Sequence, residues 1–238
     1  MINLNNITLI SIDGTGSNTP KLKNIFNICS KDINFINRVL ITADKTCISD
    51  DIKISYIDKM SYREYNKFCI LELTKFVETE YILLIQNDGF ISNPNLWDNS
   101  FLNYDYIGAP WEHEDVPNPF PWTSNGTKNM VGCGGFSLRS KKLLNLCSKY
   151  DSIFVENQIK AGMNEDIFIC VYARPQLEAQ GCKFPDVKIA NKFSKGSIPF
   201  KPGVTETSFG FHNGGYIEEC LATFNNKYQT NYNIGDIL

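Results

Sequence analysis

The sequence YILLIQNDGFI, residues 81–91, decides the fold of this chain. Five apolar residues run without interruption, and three polar residues and a glycine follow them. This pattern predicts a strand buried on both faces, as in a sheet covered by helices. Gln86, Asn87 and Asp88 then lie where the strand emerges, and ligands of open α/β sheets bind at that carboxyl end. A carboxylate followed by a glycine indicates a place for a metal ion or a phosphate group.

The composition is that of an ordinary soluble globular protein. Of the 238 residues, 42% are hydrophobic and 21% are charged, and the formal net charge is −3. Proteins that mainly hold nucleic acid carry a basic surface, so we expect no nucleic-acid partner. The N-terminus has no basic segment followed by an apolar run, and no stretch approaches the ~18 apolar residues of a membrane helix. We therefore expect a cytoplasmic protein without an integral membrane segment. The eight cysteines form no CxxC pair, which predicts reduced, buried thiols rather than a zinc site.

The periodicity of the first third of the chain predicts an α/β fold. Strands are expected at 7–12, 38–42, 52–57 and 81–86, and helices at 20–32 and 62–77. The connections are long enough for crossover helices, so we predict a mostly parallel, Rossmann-like sheet flanked by helices. We see no linker and expect a single domain, residues 1–238.

The pattern is less regular in the second part of the chain. It predicts helices at 94–101, 141–150, 165–181 and 216–224, strands at 104–109 and 187–190, and a loose C-terminus. The polar, proline-containing segment 112–130 is long for a loop inside a compact domain, which predicts a lid, and 194–208 is a second candidate lid. Gly134 and Gly135 precede a short strand and let the backbone approach a ligand closely.

Acidic residues end several of the predicted elements. Asp13, Asp44 and Asp88 each follow a strand, where a carboxylate can face a ligand. Asp also favours turns, so for Asp13 and Asp44 both explanations stay open. Glu165 and Asp166 open a helix, where the helix dipole favours negative charge regardless of function.

Five segments together resemble a known family. They are LIQNDG at 84–89, YDYIGAPW at 104–111, VGCGGFSLRS at 131–140, NED at 164–166 and FGFH at 209–212. The combination is similar to a poorly characterised family of glycosyltransferase-like proteins within the GT-A class of nucleotide-sugar-dependent enzymes. The match spans about residues 80 to 212, and the N-terminal part fits by topology only.

The resemblance implies a fold, a reaction and a set of roles. Residues 1–110 would form the nucleotide-binding half of a GT-A-like domain, and 111–238 the acceptor and catalytic half. GT-A enzymes carry a DxD motif after the fourth strand, which binds Mn²⁺ or Mg²⁺ and the donor diphosphate. Here Gln86 takes the place of the first Asp, so Asp88 and His212 are the expected metal ligands. The expected reaction is inverting transfer from a nucleotide sugar, with a UDP-sugar favoured, to a glycan or protein acceptor.

The remaining roles follow from the same resemblance and from topology. Asp166 is the expected general base, with Glu165 as an acceptor contact or alternative base. Trp111 and Arg139 are expected to contact the acceptor. The expected donor-binding residues are Asp13, Asp44, Gln86, Asn87, Asp88, Gly134 and Gly135.

Two other functions stay open. A nucleotidyltransferase also places carboxylates and a metal at a strand end, although residues 13–17 lack the Lys or Arg that such enzymes use for a triphosphate. A carbohydrate-binding or nucleotide-sugar-binding protein without turnover is the second alternative, because the first Asp of DxD is missing.

Overall fold

The computed structural model describes residues 1–111, 131–196 and 204–238. Within them, six strands form one sheet in the order β3-β2-β1-β4-β6-β5. The strands are β1 (Ile2–Asp13), β2 (Ile33–Thr42), β3 (Lys53–Tyr56), β4 (Tyr81–Leu84), β5 (Tyr106–Pro110) and β6 (Val131–Ser140). β1 to β4 are parallel to one another, and β6 is antiparallel to both β4 and β5. The predicted α/β fold, a mostly parallel sheet flanked by helices, is confirmed.

Helices cover both faces of the sheet. They are α1 (Thr19–Cys29), α2 (Tyr62–Leu71), α3 (Lys141–Cys147), α4 (Ser152–Lys160), α5 (Glu165–Ile167), α6 (Arg174–Ala179), α7 (Val187–Phe193) and α8 (Ile217–Tyr228). A π-helical turn, Phe168–Tyr172, joins α5 to α6. Short 3₁₀ turns lie at Leu73–Phe76, Pro94–Leu96, Asn99–Asn103, Val204–Thr207, Gly214–Tyr216 and Ile234–Asp236. Two short strands, β7 (Ser194–Lys195) and β8 (Gly210–Phe211), pair with each other outside the main sheet.

The central strands are apolar because both of their faces are covered. In β4, Ile82, Leu83 and Leu84 are all 0% exposed. Leu83 packs in the cluster with α1 and α8, whereas Ile82 and Leu84 pack in the cluster with α2. Successive residues of a strand point to opposite faces, so an uninterrupted apolar run is needed here. The polar residues after β4 therefore fall at the carboxyl edge of the sheet, as predicted.

Several predicted elements differ from the structure. The predicted strand at 187–190 is wrong: Asp186 accepts a hydrogen bond from the Ile189 N–H and starts α7 at this place. The predicted helix at 165–181 is three consecutive turns of different pitch rather than one helix. The helix α4, capped by Asp151, was not predicted at all.

The C-terminus is also different from the prediction. The last dozen residues were expected to be loose, but Ile237 is 0% exposed and belongs to the main core cluster. An Asn233–Asp236 capping box orders the turn that carries it.

Two further predictions concern lids and membrane spans. The lid predicted at 112–130 and residues 197–203 of the second candidate lid lie outside the described residues. Among the described parts of the chain, we find no helix that combines the length and the apolar character needed to cross a bilayer.

Candidate active site

The polar residues that follow β4 form a tight turn. The backbone groups of Gln86 and Gly89 exchange two hydrogen bonds, each 3.1 Å long. Asn87 and Asp88 therefore occupy the tip of the turn, beyond the edge of the sheet. The carbonyl of Asp88 accepts from the Asn213 N–H at 2.9 Å, which ties this turn to the chain just after β8.

His212 stands between Asp88 and a cysteine that the sequence did not single out. Its Nε2 lies 3.3 Å from Asp88 Oδ1, and its Nδ1 lies 2.8 Å from Cys133 Sγ. Burial lowers the pKa of His212, but the charges and hydrogen bonds of Cys133 and Asp88 outweigh it and raise the pKa well above its usual value. For Asp88 the signs are reversed. Burial raises the pKa of this carboxyl, but the hydrogen bond and the charge of His212 outweigh burial and bring the pKa below its usual value. The contact with Asp88 thus favours a protonated His212 imidazole beside an ionised carboxylate.

Two consecutive glycines of β6 join this pair to a second cluster of charged residues, which consists of Glu165, Asp166 and Arg139. A Cβ on Gly135 would lie 2.5 Å from Gln86 Oε1 and closer still to His212 Nε2. A Cβ on Gly134 would lie 2.6 Å from Glu165 Oε1 and 3.1 Å from Asp166 Cβ. Neither position has room for a side chain. Because consecutive Cα atoms are about 3.8 Å apart, the Glu165 carboxylate and the His212 ring lie within roughly 12 Å of each other.

The second cluster is a pair of carboxylates beside a buried arginine. Asp166 Oδ2 accepts from the Gly134 N–H at 3.1 Å, and Asp166 Oδ1 accepts from the Ile167 N–H at 2.8 Å. Glu165 Oε1 accepts from Arg139 Nη2 at 2.6 Å, and the Asp166 N–H donates to Glu165 Oε2. Burial, followed by the charge of Glu165, raises the pKa of Asp166 to about 7. A partly exposed carboxyl with such a pKa can exchange protons near neutral pH.

A cavity of about 280 Å³ opens beside the turn after β4. Its inner part is apolar, with Ile12 and Leu22, and Tyr62 stands exposed among its lining residues. The polar lining comes from the loop after β1 and the turn after β4: Thr15, Asn18, Gln86 and Asn87. The cavity thus lies where an open α/β sheet binds its ligand.

The structure gives Asp13 and Asp44 local partners. Asp13 is 3% exposed, and its two oxygens accept four hydrogen bonds from the chain between Thr15 and Thr19. Asp13 therefore shapes the loop that lines the cavity. Asp44 Oδ1 accepts from the N–H and the hydroxyl of Thr46, which lowers the pKa of Asp44. Donor binding by these two carboxylates stays a prediction.

Arg139 does not have the position expected for an acceptor contact. It is 0% exposed, and its hydrogen-bond partners are protein groups, so the structure makes it a support for Glu165 instead. Trp111 is partly buried and packs against Met163, Ile167 and Val171. Its predicted stacking on an acceptor sugar stays a prediction.

Gln86 has a partner of its own, as its side-chain amide donates to the Tyr65 hydroxyl at 2.8 Å. The amide therefore links the turn after β4 to α2. Among the described residues, no group of three or more His, Cys, Asp and Glu side chains is arranged to hold a metal ion. Within the described parts of the chain, Asp88 and His212 form a close pair, with His212 Nε2 3.3 Å from Asp88 Oδ1.

The comparison with protein families decides the relationship of this chain. Residues 51–212 match the family described as a protein of unknown function (DUF5672). The chain belongs to this family. The match includes the turn after β4, both glycines of β6, the carboxylate pair and His212. No curated protein matches the sequence.

Solved structures show only distant similarity. A crystal structure of residues 1–349 of Staphylococcus aureus TarS with UDP aligns with 13% identity and a TM-score of 0.41, covering 64% of this chain and 53% of that one. The same TarS fragment with UDP-GlcNAc aligns with 15% identity and a TM-score of 0.39, covering 60% and 48%. A 4-diphosphocytidyl-2C-methyl-D-erythritol synthase aligns with 10% identity and a TM-score of 0.31, covering 67% and 84%. The chain spans about half the length of the TarS structures, and similarity this low does not establish a shared function.

Three residues of the site had no signal in the sequence. Cys133 contacts His212 across 79 positions, Tyr65 holds Gln86, and Asn66 Oδ1 accepts from the Glu165 N–H at 2.7 Å. No motif or spacing in the sequence marks them, so only the fold shows that they are next to the charged groups. None of the eight cysteines forms a disulfide, and Cys133 alone among them is partly exposed.

Proposed function

We propose that the protein is a glycosyltransferase that moves a sugar from a nucleotide-sugar donor, with a UDP-sugar favoured, to a hydroxyl of a glycan or protein acceptor. The observation that carries the proposal is the convergence at Gly134 and Gly135. A cation-binding pair, Asp88 and His212, lies on one side, and a carboxylate suited to proton transfer, Asp166, lies on the other. The transfer needs both groups, one for the leaving diphosphate and one for the attacking hydroxyl.

The donor nucleoside is proposed to occupy the cavity beside the turn after β4. Tyr62 offers a ring for stacking at its mouth, and Asn87 offers an amide for hydrogen bonds to the base or ribose. Gln86, Asp13 and Asp44 belong to the same donor region, Asp13 by shaping its loop. Gly134 and Gly135 leave the β6 backbone open to the donor sugar.

Asp88 and His212 are proposed to hold Mn²⁺ or Mg²⁺ together with the donor diphosphate. The fit is limited to two protein ligands, so diphosphate oxygens and water would complete the coordination, as is common for Mg²⁺. The ion would supply Lewis-acid stabilisation of the leaving diphosphate. Cys133 orients His212 by holding Nδ1, so that Nε2 faces Asp88.

Asp166 is proposed to take the proton of the acceptor hydroxyl as that hydroxyl attacks the sugar. Its two backbone hydrogen bonds fix the carboxylate on β6 and α5, so little reorganisation is needed. A pKa of about 7 makes the ionised group a stronger base than an ordinary aspartate, while a large fraction is still ionised at neutral pH. Direct attack by the acceptor inverts the configuration of the sugar.

A thermal-shift screen of UDP-, GDP- and CDP-sugars with and without Mn²⁺ tests the proposal. A donor at 100 times its Kd should raise the Tm by roughly 5–10 °C in the presence of the ion. The shift should disappear in D88N and persist in D58N, because Asp58 is a fully exposed carboxylate. No shift with any donor would refute the proposal.

Two turnover measurements separate the other functions. Slow hydrolysis of the stabilising donor in the absence of acceptor supports a transferase, and EDTA should abolish it. Donor binding without hydrolysis or transfer would indicate a binding protein. Release of pyrophosphate from a nucleoside triphosphate would indicate a nucleotidyltransferase instead.

A further inference from the structure

Glu165 has no free carboxylate oxygen for a substrate. The residue is 6% exposed, Oε1 accepts from Arg139 Nη2 at 2.6 Å, and Oε2 accepts from the Asp166 N–H. Its own backbone N–H is bound by Asn66, a 2% exposed residue of α2. Both carboxylate oxygens of Glu165 and its backbone N–H are therefore held by other groups of the protein.

Arg139 is fixed as firmly as its partner. Its Nε donates to Ser137 Oγ at 3.0 Å, and its Nη2 also donates to the Gly134 carbonyl at 3.3 Å. The guanidinium lies over the Tyr106 ring, 5.1 Å from the ring centre. Within the described residues its Nη1 has no hydrogen-bond partner. The guanidinium is wholly buried, and the Glu165 carboxylate, 2.6 Å from Nη2, is its counter-ion.

We propose that Glu165 is a positioning residue for Asp166, locked in place by Arg139, and that it is neither an acceptor contact nor an alternative base. The proposal rests on the proposed function in one respect, the role of Asp166 as the base. Glu165 acts by two contacts: its Oε2 fixes the Asp166 backbone, and its fixed negative charge lies next to the Asp166 carboxylate. Arg139 holds that charge in one orientation.

The electrostatic surroundings of Asp166 support this role. Two like charges that share a site oppose the ionisation of one of them, and Glu165 raises the pKa of Asp166. Arg139 acts in the opposite direction. Further titratable groups among the described residues interact electrostatically with Asp166, and they are neutral near pH 7 because burial raises each of their pKa values: Tyr62, Cys69, Tyr106 and Cys170.

Removing the charge of Glu165 should therefore lower the pKa of Asp166. In E165Q the repulsion is gone, and the uncompensated Arg139 charge favours the ionised Asp166 further. Carbon-13 NMR of the side-chain carboxyl groups reads this directly, with the Asp166 signal assigned by its absence in D166N. The expected midpoint is near 7 in the wild type and at least one pH unit lower in E165Q, a tenfold or greater rise in acid dissociation constant.

The matched control is E178Q. Glu178 also pairs with an arginine, Arg174, at 2.8 Å, but that pair is partly exposed, and neither residue is among the groups that shift the pKa of Asp166. The Asp166 midpoint should not move in E178Q. An unchanged midpoint in folded E165Q would overturn the proposal, because the proposal requires the charge of Glu165 to raise the pKa of Asp166.

E165Q leaves a buried charge unpaired, so its folding must be checked by circular dichroism. If it does not fold, the double variant E165Q/R139M removes both charges, and a smaller downward movement of the midpoint is expected, because Glu165 raises the pKa of Asp166 by more than Arg139 lowers it. The wild type alone gives a further test: the carboxyl signal that titrates near 7 must belong to Asp166, and assignment of that signal to Glu165 would overturn the proposal. None of these measurements needs a donor or acceptor, so failure of the proposed transferase activity would be a separate result.

Discussion

Replacing Asp166 by Asn should make the protein more stable while it removes sugar transfer. The carboxylate of Asp166 is costly to ionise in the folded state, since burial and the charge of Glu165 raise its pKa from 3.8 to about 7. Below pH 4 the group is protonated in both the folded and the unfolded chain. As the pH rises from 4 to 7 the unfolded chain loses this proton first, so the folded state loses stability until the folded pKa is passed.

The magnitude follows from the two pKa values. Roughly three pH units separate them, and at 1.36 kcal/mol each the full cost above pH 7 is about 4 kcal/mol. Partial exposure of Asp166 makes this an upper value. Asn has one acceptor oxygen, so either the Gly134 or the Ile167 N–H loses its partner, at about 1–3 kcal/mol. The net gain of D166N at pH 8 is therefore about 1–3 kcal/mol.

Urea unfolding at pH 4.5, 6 and 8 measures this gain. The advantage of D166N should be smallest at pH 4.5 and should grow with pH, whereas D58N, which changes an exposed carboxylate, should stay within about 0.5 kcal/mol of the wild type. Transfer by D166N should fall by roughly 10²–10⁴-fold. A D166N variant that is less stable at pH 8, or whose advantage does not depend on pH, would refute the reasoning.

Three other changes have definite expected outcomes. G135A places a Cβ against His212, so Mn²⁺ binding measured by calorimetry should be lost, whereas G214A, whose Cβ would meet nothing closer than 3.7 Å, should bind normally. C133A should weaken Mn²⁺ binding roughly 10–100-fold by freeing the His212 ring, and C133S should restore much of it; equal affinities in all three proteins would exclude the positioning role of Cys133. I237A should cost about 2–5 kcal/mol in urea unfolding, because the side chain is 0% exposed in the core, and a cost below 0.5 kcal/mol would mean that the C-terminal turn is not packed in solution.

The parts of the fold that sequence patterns predicted are those with one dominant physical signal. The run before Gln86 has five consecutive apolar residues and is followed by polar residues and a glycine, which favours a strand buried on both faces. Val187 to Ala190 carries no such signal, because four residues do not separate a strand from one turn of helix, and the capping Asp186 decides the outcome. Ile237 was missed because a single apolar residue in a polar tail has no periodicity.

The site was predictable as a set of chemical groups but not as an arrangement. Asp88, His212 and Asp166 were predicted from residue type and motif, and their roles stay predictions. In the structure Asp166 lies next to Gly134, and His212 lies next to Gly135 and contacts Asp88. Arg139 was misjudged because a sequence cannot show whether an arginine points to solvent or is buried. Cys133 was missed for the related reason that its partner is 79 residues away.

The glycine pair of β6 has a consequence for how far the two groups of charged residues can separate. A single peptide unit joins the residue next to His212 to the residue next to the carboxylates, and it lies in β6 between Cys133 and Ser137, where the register with β5 shifts. The distance between the two groups is therefore limited by one peptide unit of the β6 backbone. Loops elsewhere in the chain can change in sequence and length without altering this backbone link.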